Sequence, residues 1–237
     1  MNVKVILFDL DGTLLPMDQD IFVKAYFSGL AKALAPHGYD PQKLVASVWK
    51  GTAAMISNSS DKTNEQVFWD SFAADFGEGA RADEPIFEQF YVEHFDEIRA
   101  VCGYTERAAE VISRIKAKGL RVALATNPIF PAIATRKRIA WAGLDPDDFE
   151  LVTTYENSKR TKPHPEYYLN ITKELSVLPE ECAMIGNDVG EDMVAEGLGM
   201  KVFLLTDSLI NKTDKDISLF PNGSFDELLA FIEKLSV

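Results

Sequence analysis

Two aspartates near the start of the chain have the type and spacing needed for nucleophilic or acid–base chemistry. Asp9 and Asp11 follow the apolar, partly β-branched residues 3–8, a pattern typical of a strand that is buried on both faces. Side chains two positions apart leave a strand on the same side, so Asp9 and Asp11 point together while Leu10 faces the core. Gly12 allows a sharp turn directly afterwards. Because ligands bind beyond the carboxyl ends of strands in open α/β sheets, the two carboxylates are predicted to line a site.

Taken by itself, this segment has two other interpretations. An Asp-Gly pair is a common turn signal, and considered alone that reading is as good as a catalytic one. A calcium-binding loop is disfavoured, because its glycine comes one turn position later and the loop follows a helix rather than an apolar strand. The assignment therefore depends on what the rest of the chain places beside the two aspartates.

Polar residues follow two further apolar runs in the same manner. Thr126 and Asn127 end one run, and Asp188 ends another. Asp192 lies four residues beyond Asp188, about one helical turn, and Lys162 precedes a proline that can open a helix. If the strands are parallel, one edge of the sheet collects the following side chains: Asp9, Asp11, Thr126, Asn127, Lys162, Asp188 and Asp192.

The clustered carboxylates predict a divalent cation. Several carboxylates within a few ångströms of one another cannot all stay ionised without one. Oxygen ligands select a hard cation, and Mg²⁺ suits a site that water and a phosphate complete. Considered singly, Lys162 is more often a solvated surface lysine, and Asp188 with Asp192 is also typical of a helix N-terminus. Their joint occurrence after separate predicted strands favours the magnesium site.

The elements that must position these residues alternate between strand and helix. Strands are predicted over residues 3–8, 120–125, 183–185 and 201–205, with a weaker candidate over residues 149–154. Helices are predicted after Thr105, which can cap a helix that stops at Gly119, and over residues 165–176, 190–198 and 224–235. This order predicts an α/β fold with a Rossmann-like parallel sheet and right-handed crossovers.

Residues 16–99 interrupt the alternation and contain helical patterns only. Apolar residues recur there at steps of three to four, as on amphipathic helices, and Thr63 with Gln66 forms a capping box. The apolar positions form four sets: Phe22, Tyr26, Leu30 and Leu34; Leu44, Val48, Thr52 and Met55; Phe68, Phe72 and Phe76; Phe87, Tyr91, Phe95 and Ile98. Because this is too much helix for one crossover, we predict an inserted all-helical cap over residues 16–99. The catalytic core then comprises residues 1–15 and 100–237, and a cleft lies between core and cap.

Composition limits the partners. The 237 residues carry 24 basic and 37 acidic side chains, a formal net charge of -13, which disfavours nucleic acid and membrane surfaces. A site for an anionic substrate must therefore supply its own positive charge. The two cysteines, Cys102 and Cys182, fit no metal or redox spacing and are predicted to be free thiols. No apolar run approaches a membrane span, and a cytoplasmic location is predicted.

At this point the chain resembles the haloacid dehalogenase-like superfamily. That family's first motif, Asp-x-Asp-Gly-Thr after a hydrophobic strand, matches Asp9 to Thr13. Its second, a Thr or Ser that ends a strand, matches Thr126, and its third, a lysine in a Lys-Pro-x-Pro setting, matches Lys162. Its fourth motif matches Gly186, Asn187, Asp188 and Asp192. The predicted helical insertion resembles that family's cap.

The resemblance implies a role for each matched residue. Asp9 is the expected nucleophile, which forms an aspartyl phosphate, and Asp11 is the expected general acid and base. Thr126, Asn127 and Lys162 are expected to bind the phosphate. The expected ligands of Mg²⁺ are Asp9, Asp11 through its backbone carbonyl, Asp188 and, directly or through water, Asp192.

Asp11 favours phosphoryl transfer over the other reactions of that family. A halide leaves without a proton, and the family's dehalogenases and carbon–phosphorus hydrolases lack an acid at this position. The carbon–phosphorus hydrolases use a cap lysine, for which the insertion offers these candidates: Lys24, Lys32, Lys43, Lys50 and Lys62. The expected activity is a Mg²⁺-dependent phosphatase acting on a small phosphorylated metabolite. A phosphomutase of a sugar phosphate and a non-catalytic module that binds a phosphorylated ligand remain as alternatives, and the substrate and oligomeric state stay open.

Other polar residues are assigned no role in the site. His37 and His94 fall in the predicted cap and His164 lies near Lys162, but none has a ligand partner at a recognisable spacing. The basic run of residues 136–138, Arg-Lys-Arg, is interpreted as the solvated face of a helix.

Overall fold

Five parallel strands form one sheet in the computed structural model, which describes residues 2–236. The strand order is β2-β1-β3-β4-β5. The strands are β1 (Val5–Phe8), β2 (Arg121–Leu124), β3 (Cys182–Gly186), β4 (Lys201–Leu205) and β5 (Asn222–Gly223). Phe8 pairs with Leu124 on one side and with Ile185 on the other, so the residues that follow β1, β2 and β3 emerge at one edge. The predicted α/β fold with a parallel sheet is confirmed.

The central strand is apolar throughout because both of its faces are covered. Ile6 and Phe8 belong to one apolar cluster, and Val5 and Leu7 belong to another on the opposite face. All four are fully buried, and burying each such side chain stabilises the fold by roughly 1.5–3 kcal/mol. The strand ends where this run of residues buried on both faces ends, at Phe8, and Asp9 is the first polar residue after it.

Helices on both sides of the sheet connect the strands. They are α5 (Glu106–Ala117), α6 (Ala132–Trp141), α7 (Pro165–Glu174) and α8 (Phe225–Lys234). Thr105 caps α5 by accepting a hydrogen bond from the Arg107 backbone N–H. Gly119, at φ +78°, lies at the turn into β2, where a left-handed conformation favours glycine.

Two sequence predictions for this part of the chain were wrong in detail. The weaker strand candidate over residues 149–154 is not a strand, although Val152 forms an isolated bridge with Leu124. The backbone hydrogen bonds of this segment with β2 run from the Glu150 N–H, which donates to the Val122 carbonyl at 2.9 Å, to the Thr153 N–H, which donates to the Leu124 carbonyl at 3.0 Å. The helix predicted over residues 190–198 is only a 3-10 segment, Met193–Leu198. The Ala195 N–H donates to the carbonyl of Asp192, three residues back rather than four, which is the hydrogen-bond pattern of a 3-10 helix.

The regular elements between β1 and α5 are helices, and we call Gln19–Val101 the helical insertion. Its helices are α1 (Gln19–Leu34), α2 (Pro41–Ile56), α3 (Asn64–Phe76) and α4 (Glu84–Glu93), followed by a 3-10 segment, Phe95–Val101. The capping box of Thr63 and Gln66 is confirmed. The helix predicted to run from Phe87 to Ile98 instead ends at Glu93. The division into a core (residues 1–15 and 100–237) and a cap (residues 16–99) stays a prediction.

Hydrogen bonds join the helical insertion to the rest of the chain at several places. Where it begins and ends, Met17 and Cys102 form an antiparallel bridge, and the Gly103 N–H donates to the Pro16 carbonyl at 2.7 Å. At the start of α3, buried Asn64 donates its side-chain amide to the Pro128 carbonyl at 3.1 Å. The insertion also shares one apolar cluster with the sheet face that carries Ile6 and Phe8.

Both cysteines are free thiols, as predicted. Within residues 2–236, no helix is long and apolar enough to cross a membrane.

Candidate active site

Lys162 lies beneath the end of β1 and joins two carboxylates. Its Nζ is 2.8 Å from Asp9 Oδ1 and 2.6 Å from Asp192 Oδ1, and its side chain is 1% exposed. Burial alone lowers the pKa of Lys162, but the two carboxylates outweigh it and hold the pKa well above its ordinary value. The lysine is therefore a fixed positive charge behind Asp9.

Asp192 is held by both of its oxygens. Oδ1 accepts the hydrogen bond from Lys162, and Oδ2 accepts one from the Asp188 backbone N–H at 3.0 Å. Burial raises the pKa of Asp192, against the lowering effect of Lys162. With both oxygens engaged, Asp192 is placed to position Lys162 and Asp188.

The turn after Asp9 is built around Gly12 and Asn187. The Thr13 Oγ1 lies 3.1 Å from both Asp9 Oδ2 and Asn187 Oδ1, so its single proton is shared between them. The Asn187 amide also donates to the Ser208 carbonyl at 2.6 Å. Gly12 has φ +86°, and a Cβ there would collide with the Asn187 side chain. Glycine is thus required both by the backbone and by the close approach of that amide.

Asp11 is paired with Arg138, an interaction the sequence interpretation missed. The Arg138 Nη1 donates to Asp11 Oδ2, and the guanidinium lies 4.5 Å from the centroid of the Phe130 ring. Arg138 is 1% exposed, so the prediction that the basic run is a solvated face was wrong for this residue. The reason is that α6 turns Ala134 and Arg138, four residues apart, towards the sheet edge. The four-residue spacing of Arg138 from the apolar Ala134 was the sequence feature that could have indicated a buried arginine.

One oxygen of Asp11 remains without a partner. Among the described residues, the buried Oδ1 has no hydrogen bond, while Oδ2 is occupied by Arg138. Burial raises the pKa of Asp11, Arg138 opposes this, and the neighbouring Asp9 adds to the rise. The carboxyl group is therefore easier to protonate than an ordinary aspartate, and Oδ1 is the oxygen left to carry the proton.

The loop after β2 brings Thr126 and Asn127 to the same edge. Thr126 is buried, and its carbonyl accepts hydrogen bonds from Thr153 Oγ1 at 2.7 Å and from Tyr167 Oη at 2.8 Å. The Asn127 amide donates to Glu191 Oε2 at 3.1 Å. Burial raises the pKa of Glu191 to about 7. The sequence interpretation did not single out Glu191, because no spacing distinguished it from other helix-start acids.

Asp188 is oriented by the backbone ahead of it. Its Oδ1 accepts hydrogen bonds from the Gly190 N–H at 2.7 Å and from the Glu191 N–H at 3.0 Å. Together with the bond from its own N–H to Asp192, this fixes the carboxylate at the rim of the site.

A cleft of about 160 Å³ collects most of the predicted site residues. The helical insertion contributes Phe22 and Val23 to its wall, which places the cleft between the insertion and the sheet edge. Lys162 and Arg138 lie behind the residues that line the cleft. Lys162 is bound to the Asp9 carboxylate and Arg138 to the Asp11 carboxylate. The lining includes these predicted site residues: Asp9, Asp11, Thr126, Asn127, Asp188 and Asp192.

The donor set fits a magnesium ion that keeps much of its water. Within residues 2–236, no three His, Cys, Asp or Glu side chains lie close enough to form a metal cluster by themselves. The carboxylates of Asp9 and Asp188 both line the cleft, and each offers oxygen, the ligand that Mg²⁺ prefers. Mg²⁺ is commonly held by one or two carboxylates and completed by water and substrate phosphate. This arrangement therefore fits it without a third carboxylate.

The histidines that were given no role, and the candidate lysines of the insertion, do not line this cleft. His37, His94 and His164 are exposed, and none of them lines it. Of the candidate lysines in the insertion, none lines the cleft within the described part of the chain.

Comparisons with known proteins place the chain in a family. The family model for haloacid dehalogenase-like hydrolases matches residues 3–195. "Pyrophosphatase PpaX" of Bacillus cereus (strain ATCC 10987 / NRS 248) is 22% identical over 201 residues, which cover 85% of this chain and 82% of that protein.

Two solved structures share the fold over nearly the whole chain. The HAD phosphatase from Thermococcus onnurineus has a TM-score of 0.60 at 17% identity, covering 99% of this chain and 100% of that one. The 2-haloacid dehalogenase from Pseudomonas syringae pv. Tomato DC3000 has a TM-score of 0.63 at 17% identity, covering 98% and 99%. Because a phosphatase and a dehalogenase share this fold, the choice of reaction rests on the side chains of the site.

Proposed function

The chain belongs to the haloacid dehalogenase-like hydrolases, and on that premise we propose that it is a cytoplasmic phosphatase of small phosphate monoesters. The observation that carries the proposal is the pair of differently partnered carboxylates at the end of β1. Asp9 is bound to Lys162 and Asp11 to Arg138. Two carboxylates in two environments are suited to two different roles.

Asp9 is the proposed nucleophile. The hydrogen bonds from Lys162 and Thr13 fix its carboxylate at the floor of the cleft. An oxygen of Asp9 forms a bond to phosphorus in line with the ester oxygen, whose bond to phosphorus breaks. The positive charge of Lys162 offsets the repulsion between the carboxylate and the incoming phosphate.

Asp11 is the proposed general acid and base. Arg138 occupies Oδ2, so a proton taken up by Asp11 is carried on Oδ1 and passes to the departing ester oxygen, which leaves as an alcohol. Water then attacks the aspartyl phosphate, Asp11 takes the proton of that water, and phosphate and Asp9 are released. A halide needs no such proton, so this acid favours phosphate esters over the substrate of the dehalogenase relative.

Magnesium is the proposed cofactor. Asp9 and Asp188 would hold it with the Asp11 backbone carbonyl, and Asp192 acts by orienting Asp188 and Lys162. When bound, the ion neutralises negative charge on the phosphate oxygens. Thr126 and Asn127 are proposed to donate to the remaining phosphate oxygens from the cleft wall, where Glu191 holds the Asn127 amide in place.

Release of phosphate from p-nitrophenyl phosphate with Mg²⁺ tests the proposal. Asp9→Asn should remove turnover while the far-ultraviolet circular dichroism spectrum stays unchanged, because the amide is isosteric but not nucleophilic. Asp207→Asn, at an exposed loop position, is the matched control and should behave as wild type. Normal turnover in the Asp9 variant would contradict the proposed nucleophile.

The alternatives give different results in the same assays. A phosphomutase would convert a sugar phosphate to its isomer faster than it releases phosphate. A binding module would retain a phosphorylated ligand and release no phosphate from any ester. Asp9, Asp11 and Lys162 are all present and in contact with charged partners, which supports a catalytic protein over a binding module.

A further inference from the structure

A second cavity of about 110 Å³ adjoins the catalytic cleft. Val23, Ile129 and Phe130 line both spaces, so a group attached to a phosphate at Asp9 has only to pass Phe130 to enter it. The cavity lies within the helical insertion and against the loop after β2.

The walls of this cavity are aromatic. They include Phe27, Trp49, Phe68, Trp69, Phe87 and Tyr91. Among the residues that the structure describes, no acidic or basic side chain lines it. The buried Trp69 indole N–H has no hydrogen bond of normal geometry within the described residues, but it lies near the Tyr155 hydroxyl and acts to lower the pKa of that group.

The charges around the cleft exclude a second anionic group. Lys162 and Arg138 are the cations behind the described lining, and both are already bound to carboxylates. A second phosphate or a carboxylate on the substrate would enter the aromatic cavity without a counter-ion, and burying an unpaired charge is costly. A neutral aromatic ring that enters the same cavity removes apolar surface from water and buries no charge, and both favour binding.

From these observations we infer the substrate class: a phosphate monoester of a neutral alcohol that carries an aromatic or bulky apolar group. The phosphate lies at Asp9 and the apolar group lies in the aromatic cavity beyond Phe130. The inference rests on the proposed function, and it separates this chain's substrate from the pyrophosphate in the name of its Bacillus relative.

A panel of three phosphate esters of alcohols, with the anhydride pyrophosphate for comparison, tests the inference. Benzyl phosphate, ethyl phosphate, phosphoglycolate and pyrophosphate are compared by kcat/KM for phosphate release. Burying a phenyl ring should raise kcat/KM for benzyl over ethyl phosphate by on the order of 50-fold. Phosphoglycolate and pyrophosphate should be poorer substrates than ethyl phosphate.

A variant that fills the cavity gives an independent measurement. Thr52 lines the cavity from α2, whereas its neighbour Ala53 is exposed. Thr52→Phe should abolish the kcat/KM advantage of benzyl phosphate over ethyl phosphate, and Ala53→Phe should preserve that ratio.

Each outcome decides the matter. Equal or faster turnover of phosphoglycolate or pyrophosphate than of benzyl phosphate would overturn the inference while leaving the phosphatase intact. An equal loss of kcat/KM for all the esters in Thr52→Phe would show that the cavity residues only pack and do not bind the leaving group. If Thr52→Phe does not fold, the wild-type panel decides by itself. No phosphate release from any ester, ethyl phosphate included, would instead overturn the proposed function and the inference with it.

Discussion

Replacing Arg138 with methionine should destabilise the protein measurably. Arg138 is buried and its guanidinium neutralises Asp11, so the variant leaves a carboxylate without its counter-charge. Removing one partner of a buried ion pair costs about 3–5 kcal/mol. Because 20% of the Asp11 side chain is exposed in the cleft, solvent screens part of the loss, and we expect the lower end, about 3 kcal/mol. At roughly 2–4 °C per kcal/mol for a chain of this size, Tm should fall by about 6–12 °C.

A double-mutant cycle measures the pair itself. Urea unfolding is followed for wild type, Arg138→Met, Asp11→Asn and the double variant. Arg138→Met should lower the free energy of unfolding much less in the Asp11→Asn background, because no charge is then left unpaired. Arg138→Lys is the conservative control, which keeps the charge but not the planar guanidinium that reaches Asp11 from α6.

Comparing kcat for two esters separates the effect of Arg138 on Asp11 as a general acid from its effect on stability. Ethoxide is a poor leaving group and needs the proton from Asp11, whereas p-nitrophenoxide leaves readily without it. Arg138→Met should therefore reduce kcat for ethyl phosphate more than for p-nitrophenyl phosphate. A free energy of unfolding within about 1 kcal/mol of wild type, or losses that simply add in the cycle, would refute the reasoning.

Three further predictions concern the backbone, acid stability and the metal. Gly12→Ala should lower stability by more than Gly38→Ala, since both have φ near +90° but only Gly12 faces a neighbouring side chain; urea midpoints compare them. Burial acts to raise the pKa of Asp96, but hydrogen bonds from Lys137 and Trp141 outweigh it and leave the pKa lowered. The stability that Asp96 supplies is therefore present above about pH 4 and lost as pH falls through the lowered pKa. The Tm difference between wild type and Asp96→Asn should accordingly be largest near neutral pH and vanish in acid, and a constant difference would contradict this. Chelation by EDTA should stop phosphate release and excess Mg²⁺ should restore it, whereas full activity in EDTA would rule out the metal.

The sheet and most of the site could be predicted because their signals are local. A buried parallel strand is a continuous apolar run, and the polar residue after it marks its carboxyl end. Three such runs placed Asp9, Thr126 and Asp188 at one edge, and the register of β1 with its neighbours brings them there.

Arg138 and Glu191 could not be assigned in the same way. Whether a basic residue on a helix is solvated depends on what packs against that helix, and the packing of α6 against the sheet edge is a tertiary property. The helix predicted over residues 190–198 was wrong because this segment closes hydrogen bonds three residues back, as from the Ala195 N–H to the Asp192 carbonyl, and a pattern of apolar residues does not distinguish such a 3-10 segment from an α-helix.

The bridge between Met17 and Cys102 joins the two ends of the helical insertion, and this has a consequence for replacing the insertion by another segment. Since the segment departs and returns at a single point, the entropy of closing it grows only slowly with its length. A different helical unit grafted at this junction would leave β1 and β2 able to pair, provided that it brings an apolar underside to cover Phe8. In the proposed phosphatase, the residues that line the aromatic cavity could thus be replaced as one unit while Asp9 and Asp11 keep their positions.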